Sequence, residues 1–164
     1  MTPTRFARAA IIACVPALAL AVALPSASAT SAAKPRDRVL QLERVSQENI
    51  DLGAAGPSVG DLRVTQGVVT NSAGKRVGTY ATSQVTVAAA LPGGQEQRSV
   101  TMEVSLPGGE ITMVGIYVAP TGAAPTSEVV HVIAGGTRDF FGARGTITLT
   151  PSGATTYRAK LDFA

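Results

Sequence analysis

Six side chains in this chain have the chemistry to act on a ligand: Glu43, His131, Tyr80, Tyr117, Asp139 and Arg144. Glu43 lies in Leu40-Gln41-Leu42-Glu43-Arg44. A carboxylate enclosed by an apolar wall can serve as an acid, a base or a ligand anchor. On an outer face it would only pair with Arg44 or with a neighbouring strand. Neither alternating face of residues 39–45 is purely apolar, so the pattern leaves both readings open. His131 is the single histidine and sits in Val129-Val130-His131-Val132-Ile133, apolar on both sides. It reads either as a cavity acid/base or ligand donor, or as a core histidine hydrogen-bonded to its neighbours. Tyr80 and Tyr117 can donate hydrogen bonds into a cavity or simply pack. Asp139 and Arg144 flank a glycine-rich turn, where they either hold an anionic or phenolic group or pin the turn itself.

Other chemistries are absent. No Gly-x-Ser-x-Gly elbow supports a serine triad. One histidine cannot make a histidine-rich metal centre, so no metal site is assigned, although carboxylates and carbonyls leave calcium open. Gly135-Gly136 is not a phosphate loop, because no Gly-Lys-Ser/Thr follows and no helix is predicted after it. No cofactor is expected.

These candidates must be positioned by β-structure. From Arg36 onward Val, Ile, Thr and Leu alternate with polar residues, and Gly or Pro clusters separate the runs. Eight strands are predicted, at about 37–45, 60–70, 76–90, 97–106, 110–118, 127–134, 143–150 and 155–163. Val100, Met102, Val104 and Leu106 share one face; so do Ile147 and Leu149, and Tyr157, Ala159, Leu161 and Phe163. Asn71-Ser72-Ala73-Gly74, Pro107-Gly108-Gly109 and Pro151-Ser152-Gly153 are too short for parallel crossovers, so neighbours are antiparallel. Two longer breaks, residues 50–57 and 119–126, are placed to lie over a barrel mouth. Eight such strands can close into a barrel or stack as a sandwich, and the pattern alone does not choose. A closed barrel of eight would be filled by side chains or would hold one small ligand.

Residues 1–29 read as a secretory signal peptide: Arg5 and Arg8, an apolar run from Ala9 to Leu24, then Ala27-Ser28-Ala29 at the cleavage point. Residues 30–36 form a flexible linker, and 37–164 are one domain. The only cysteine, Cys14, falls inside the signal and too early for a lipoprotein site. The mature chain therefore has no disulfide and no thiol nucleophile, and its 135 residues (164 minus 29) suffice for one core. The net charge of +3 drops to +1 without Arg5 and Arg8, from 12 basic against 11 acidic side chains. That is too little for nucleic-acid binding, and no membrane association is expected after cleavage. Arginine exceeds lysine 11 to 3, which fits a GC-rich bacterial genome.

Two blocks resemble a known family. One is Gly135-Gly136-Thr137-Arg138-Asp139-Phe140-Phe141-Gly142-Ala143-Arg144-Gly145, which is similar to the G-G-T-G-x-F-x-x-A-R-G signature of dirigent proteins and allene oxide cyclases. The other is Val59-Gly60-Asp61, then Gly67, then Asn71-Ser72-Ala73-Gly74-Lys75-Arg76-Val77-Gly78. The resemblance spans about 38–163. It implies an all-β, eight-stranded antiparallel, calycin-like barrel with a central cavity, and a homotrimer. It also places Glu43 at the cavity glutamate of the cyclases. Their cavity cysteine falls near Gln84, which argues against allene oxide cyclisation. Arg144 matches the signature arginine, and because the motif recurs across relatives of different activity its structural role is favoured. Arg138 stands where the family has glycine.

The function expected is a secreted, extracellular small-molecule-binding barrel that orients a hydrophobic substrate or radical for coupling or cyclisation, with a separate oxidase supplying any radical. Two alternatives remain: an isomerase or cyclase using Glu43 or His131 as acid/base, and a non-catalytic structural or surface-interaction protein with a filled barrel.

Overall fold

The computed structural model describes residues 38–164. The signal peptide and linker read from the sequence lie outside the described residues. Eight strands follow in order: β1 Arg38–Ile50, β2 Leu62–Asn71, β3 Arg76–Leu91, β4 Gln95–Leu106, β5 Gly109–Pro120, β6 Val129–Gly136, β7 Gly145–Pro151 and β8 Thr156–Phe163. Each pairs antiparallel with the next, and β8 returns to β1 through Leu40↔Ala159 and Leu42↔Tyr157. This ring of hydrogen bonds is a closed barrel, so the sandwich alternative is excluded. The only helical segment among the described residues is one 3₁₀ turn, Arg138–Phe140.

The alternation that predicted the strands also sorts inside from outside. Val100, Met102, Val104 and Leu106 are buried, and Thr101, Glu103 and Ser105 between them are exposed. Ile147, Leu149, Ala159, Leu161 and Phe163 likewise fill the interior. β1 runs five residues past the predicted end. A bulge at Val45 shifts the register between Arg44↔Gly67 and Ser46↔Gln66, after which Gln47 to Ile50 keep pairing with β2. That polar extension is held by backbone pairing rather than by an apolar face, so side-chain periodicity could not reveal it.

One end of the barrel is sealed. The turn after β6 swings Phe140 into the interior, where it is fully buried and stacks on Phe163 at 6.3 Å. The guanidinium of Arg38 lies 5.0 Å from the Phe140 ring centre. Gly136 must be glycine, because a Cβ there would press on the Glu110 carbonyl and on Phe140. The two loops expected over a mouth sit at the opposite end. In the β1–β2 loop the Asp61 carboxylate accepts hydrogen bonds from the backbone of Ser58 (2.7 Å) and Leu52 (3.1 Å). These N–H groups stabilise the carboxylate and hold its pKa below the usual carboxylate range.

Candidate functional site

Antiparallel order brings the end of β1, the starts of β2, β6 and β8, and the ends of β3 and β5 to the unsealed end of the barrel. There the interior opens into a cavity of about 70 Å³. Leu42, Val100, Met102, Val129 and Leu149 form its apolar walls. The polar lining comes from Arg44, Arg63, Thr65, Thr82, Gln84, His131 and all three tyrosines of the chain, Tyr80, Tyr117 and Tyr157. Ala124 and Pro125, from the β5–β6 loop, cover it.

The polar groups are tied into a network. The Tyr117 hydroxyl donates to Gln84 Oε1 at 2.6 Å, and Gln84 Nε2 donates to Thr82 Oγ1 at 3.1 Å. Tyr157 donates to the Pro125 carbonyl at 3.4 Å. Arg63 bonds Asn49 Oδ1 (2.7 Å) and the carbonyls of Gly122 and Ala123 (2.9 Å each). Arg98, behind it, reaches the Ala123 carbonyl at 2.8 Å and ion-pairs with Glu96, whose carboxylate also accepts the Gly122 N–H at 3.1 Å. Two buried arginines and one buried glutamate therefore strap the β5–β6 loop across the mouth.

Burial sets the protonation states. It pushes the Tyr80 phenol up to about 12 and raises Tyr157 as well, so both remain donors at neutral pH. His131, 2% exposed, is pushed below the usual imidazole value by burial, with the Val130 backbone offsetting only part of this. Its ring is therefore neutral near pH 7. Among the described residues its Nδ1 has no hydrogen-bond partner, and it faces Gly115, where any Cβ would collide with it. Gly115 thus makes the room that lets an imidazole occupy this strand position.

The structure brings together three of the six residues singled out from the sequence: His131, Tyr80 and Tyr117 line the cavity. Glu43 does not. It is exposed on the outer face, because the β1 phase that buries Leu40 and Leu42 turns residue 43 outward. Among the described residues no carboxylate lines the cavity, and Glu43 is not positioned to reach a ligand held there. Asp139 and Arg144 are also exposed, at the sealed end. Arg144 Nη1 donates to the carbonyls of Ala134 and Ala143, both at 2.8 Å, which ties the end of β6 to the turn that follows it.

Sequence reasoning missed Arg63, Glu96, Arg98 and Tyr157 as site residues. The signal for two of them was present. Extending the dry phase of β4 back from Val100 lands on Arg98 and then Glu96, charged residues at inward positions.

No family model and no curated protein sequence matches this chain. Solved structures do. A pyocyanin demethylase superposes with a TM-score of 0.64 at 18% identity, over 79% of this chain and all of that one. The Diels–Alderase AbmU from Streptomyces koyangensis gives 0.59 at 14% identity, over 80% of this chain and 68% of its own. The pterocarpan synthase dirigent protein GePTS1 gives 0.52 at 12% identity, over 78% and 85%. At these identities the likeness establishes the fold, which is shared by dirigent and cyclase barrels.

Proposed function

We propose that this protein is a secreted barrel that binds a small hydrophobic molecule and orients it for coupling or cyclisation. One observation carries the reading: all three tyrosines and the only histidine of the chain converge on a single apolar-walled cavity. A filled structural barrel has no need to gather its hydrogen-bonding aromatics in this way. The cavity is narrow, below the several hundred Å³ of a typical ligand pocket. It takes the leading part of a ligand, and the remainder projects past Arg44 and Gln47 at the rim. Such a slot limits the orientations open to a reactive molecule, and that lowers the entropic part of a barrier without any bond to a side chain. Protonated Tyr80 would donate to a ligand carbonyl or phenol, and the Tyr157 hydroxyl, whose proton points to the Pro125 carbonyl, would accept from a phenol. The fold is shared with proteins described as Diels–Alderases and as a dirigent protein, which supports the reading. For a radical substrate, a separate oxidase would supply the oxidation.

A second reading is favoured by the neutral imidazole of His131: an isomerase or cyclase in which this ring moves a proton. Self-association completes the proposal. Val114, Ile116 and Val118 of β5 and Val130 and Val132 of β6 form an exposed apolar stripe on adjacent strands of the outer wall. Such a face suits a homo-oligomer, a trimer by the resemblance.

Native mass spectrometry of the secreted protein, first under gentle and then under denaturing conditions, tests the binding reading. The expected result is a small molecule that is released on unfolding and is lost in Val100→Trp, which fills the cavity. An empty protein whose tyrosine fluorescence ignores a panel of hydrophobic ligands would sink it.

A further inference from the structure

The charges around the mouth do not balance. Arg63 is 8% exposed and reaches the cavity wall, yet every partner it has is neutral: one amide oxygen and two backbone carbonyls. Arg44, half-buried on the same wall, bonds the amide oxygen of Gln47 at 2.7 Å. Among the described residues no carboxylate lies within ion-pair distance of either guanidinium. The one buried acid among the described residues, Glu96, is paired with Arg98. Asp51 and Asp61 border the outer side of Arg63, but their carboxylates accept hydrogen bonds within their own loop, from Gly56 and from Leu52 and Ser58. Buried charges are ordinarily paired, since carbonyl dipoles satisfy the donors without cancelling the charge. Arg63 is a cation lacking its counter-ion at the wall of a ligand cavity.

We propose that the ligand of this barrel is an amphipathic anion, with an apolar body against Leu42, Val100 and Leu149 and a carboxylate that provides the counter-charge to Arg63, assisted by Arg44. The inference rests on the binding reading above and adds the chemical class of the ligand. Arg63 has five N–H donors and uses three, so a carboxylate can bond it while the β5–β6 loop stays strapped. The Tyr80 hydroxyl hydrogen-bonds a neutral oxygen elsewhere on the ligand.

The test compares octanoate with 1-octanol, equal in chain and different in charge. The chain has no tryptophan, and all its tyrosines line the cavity, so tyrosine fluorescence reads occupancy directly. In low salt at pH 7, octanoate should bind about tenfold or more tighter than octanol, as a charge-assisted hydrogen bond implies. Arg63→Gln should reduce the preference to about twofold, Arg63→Lys should keep most of it, and Arg158→Gln on the outer face should leave it unchanged. Equal binding of the two probes by the native protein leaves the binding barrel standing and overturns the anion inference. So does a preference that survives Arg63→Gln. Binding of neither probe overturns both. Should Arg63→Gln not fold, Arg44→Gln and added sodium chloride decide instead: both must cut the preference severalfold, and indifference to both overturns the inference.

Discussion

Replacing Arg98 by methionine should be the most damaging single change at the mouth. Arg98 is 2% exposed and Glu96 3%, and the two are ion-paired. Methionine matches the aliphatic stem but removes the cation. Glu96 would then be a buried carboxylate supported only by the Gly122 N–H, and the Ala123 carbonyl would lose one of its two arginine donors. Breaking a buried pair from one side costs about 3–5 kcal/mol, because the surviving charge stays desolvated. Against a total stability of about 5–15 kcal/mol, that is a large share, equivalent to a fall of roughly 10–20 °C in Tm for a domain of this size. The double change Arg98→Met with Glu96→Gln should recover a large part of the loss, since no buried charge remains. Lys160→Met supplies the contrast. Its pair with Asp162 is 2.8 Å long but lies in solvent, and such pairs contribute about 0–1 kcal/mol. Urea unfolding followed by circular dichroism, combined as a double-mutant cycle, measures all of these. If Arg98→Met costs no more than Lys160→Met, or if the double change costs the sum of its parts, the pair is not the desolvated strap described above.

Three further outcomes follow from particular residues. His131 is neutral in the fold with its pKa below the ordinary value, so the unfolded chain takes up a proton first as pH falls. Stability is full above about 6.5 and declines below it towards the folded pKa; urea midpoints at pH 7.5 and 5.5 should show this slope, and His131→Leu should flatten it. Arg138 holds φ +52, in the left-handed region that glycine tolerates best, so Arg138→Gly should stabilise by about 0.5–1 kcal/mol after the flexibility glycine adds to the unfolded chain; a lower Tm would contradict this. Val132→Glu, on the exposed apolar stripe, should give a monomer in analytical ultracentrifugation with the melting of the single barrel preserved; an unchanged sedimentation coefficient would remove that face as an interface.

The sequence by itself determined the strands and their dry faces. A strand alternates with period two, and Val100 to Leu106 or Tyr157 to Phe163 can bury only one set of side chains. The short Gly- and Pro-bearing links determined antiparallel neighbours. Closure was not legible in the alternation pattern, although the resemblance of the two glycine-rich blocks implied a barrel. The choice of barrel over sandwich was decided by β8 meeting β1, a contact between the two ends of the domain that no local pattern encodes. The site divided along the same line. His131, Tyr80 and Tyr117 could be picked out because polar or aromatic residues in apolar strands are conspicuous. Glu43 and Arg44 could not be told apart, since the phase of β1 follows from its pairing with β2 and β8 and its face pattern is mixed. Arg63, Glu96 and Arg98 look like ordinary charged residues near strand ends. Only tertiary structure buries them, because the β5–β6 loop folds over the mouth and its carbonyls and N–H become their partners. Charge at a strand end is unremarkable in sequence, and enclosure by a loop some 25 to 60 residues away is what gives it chemical meaning.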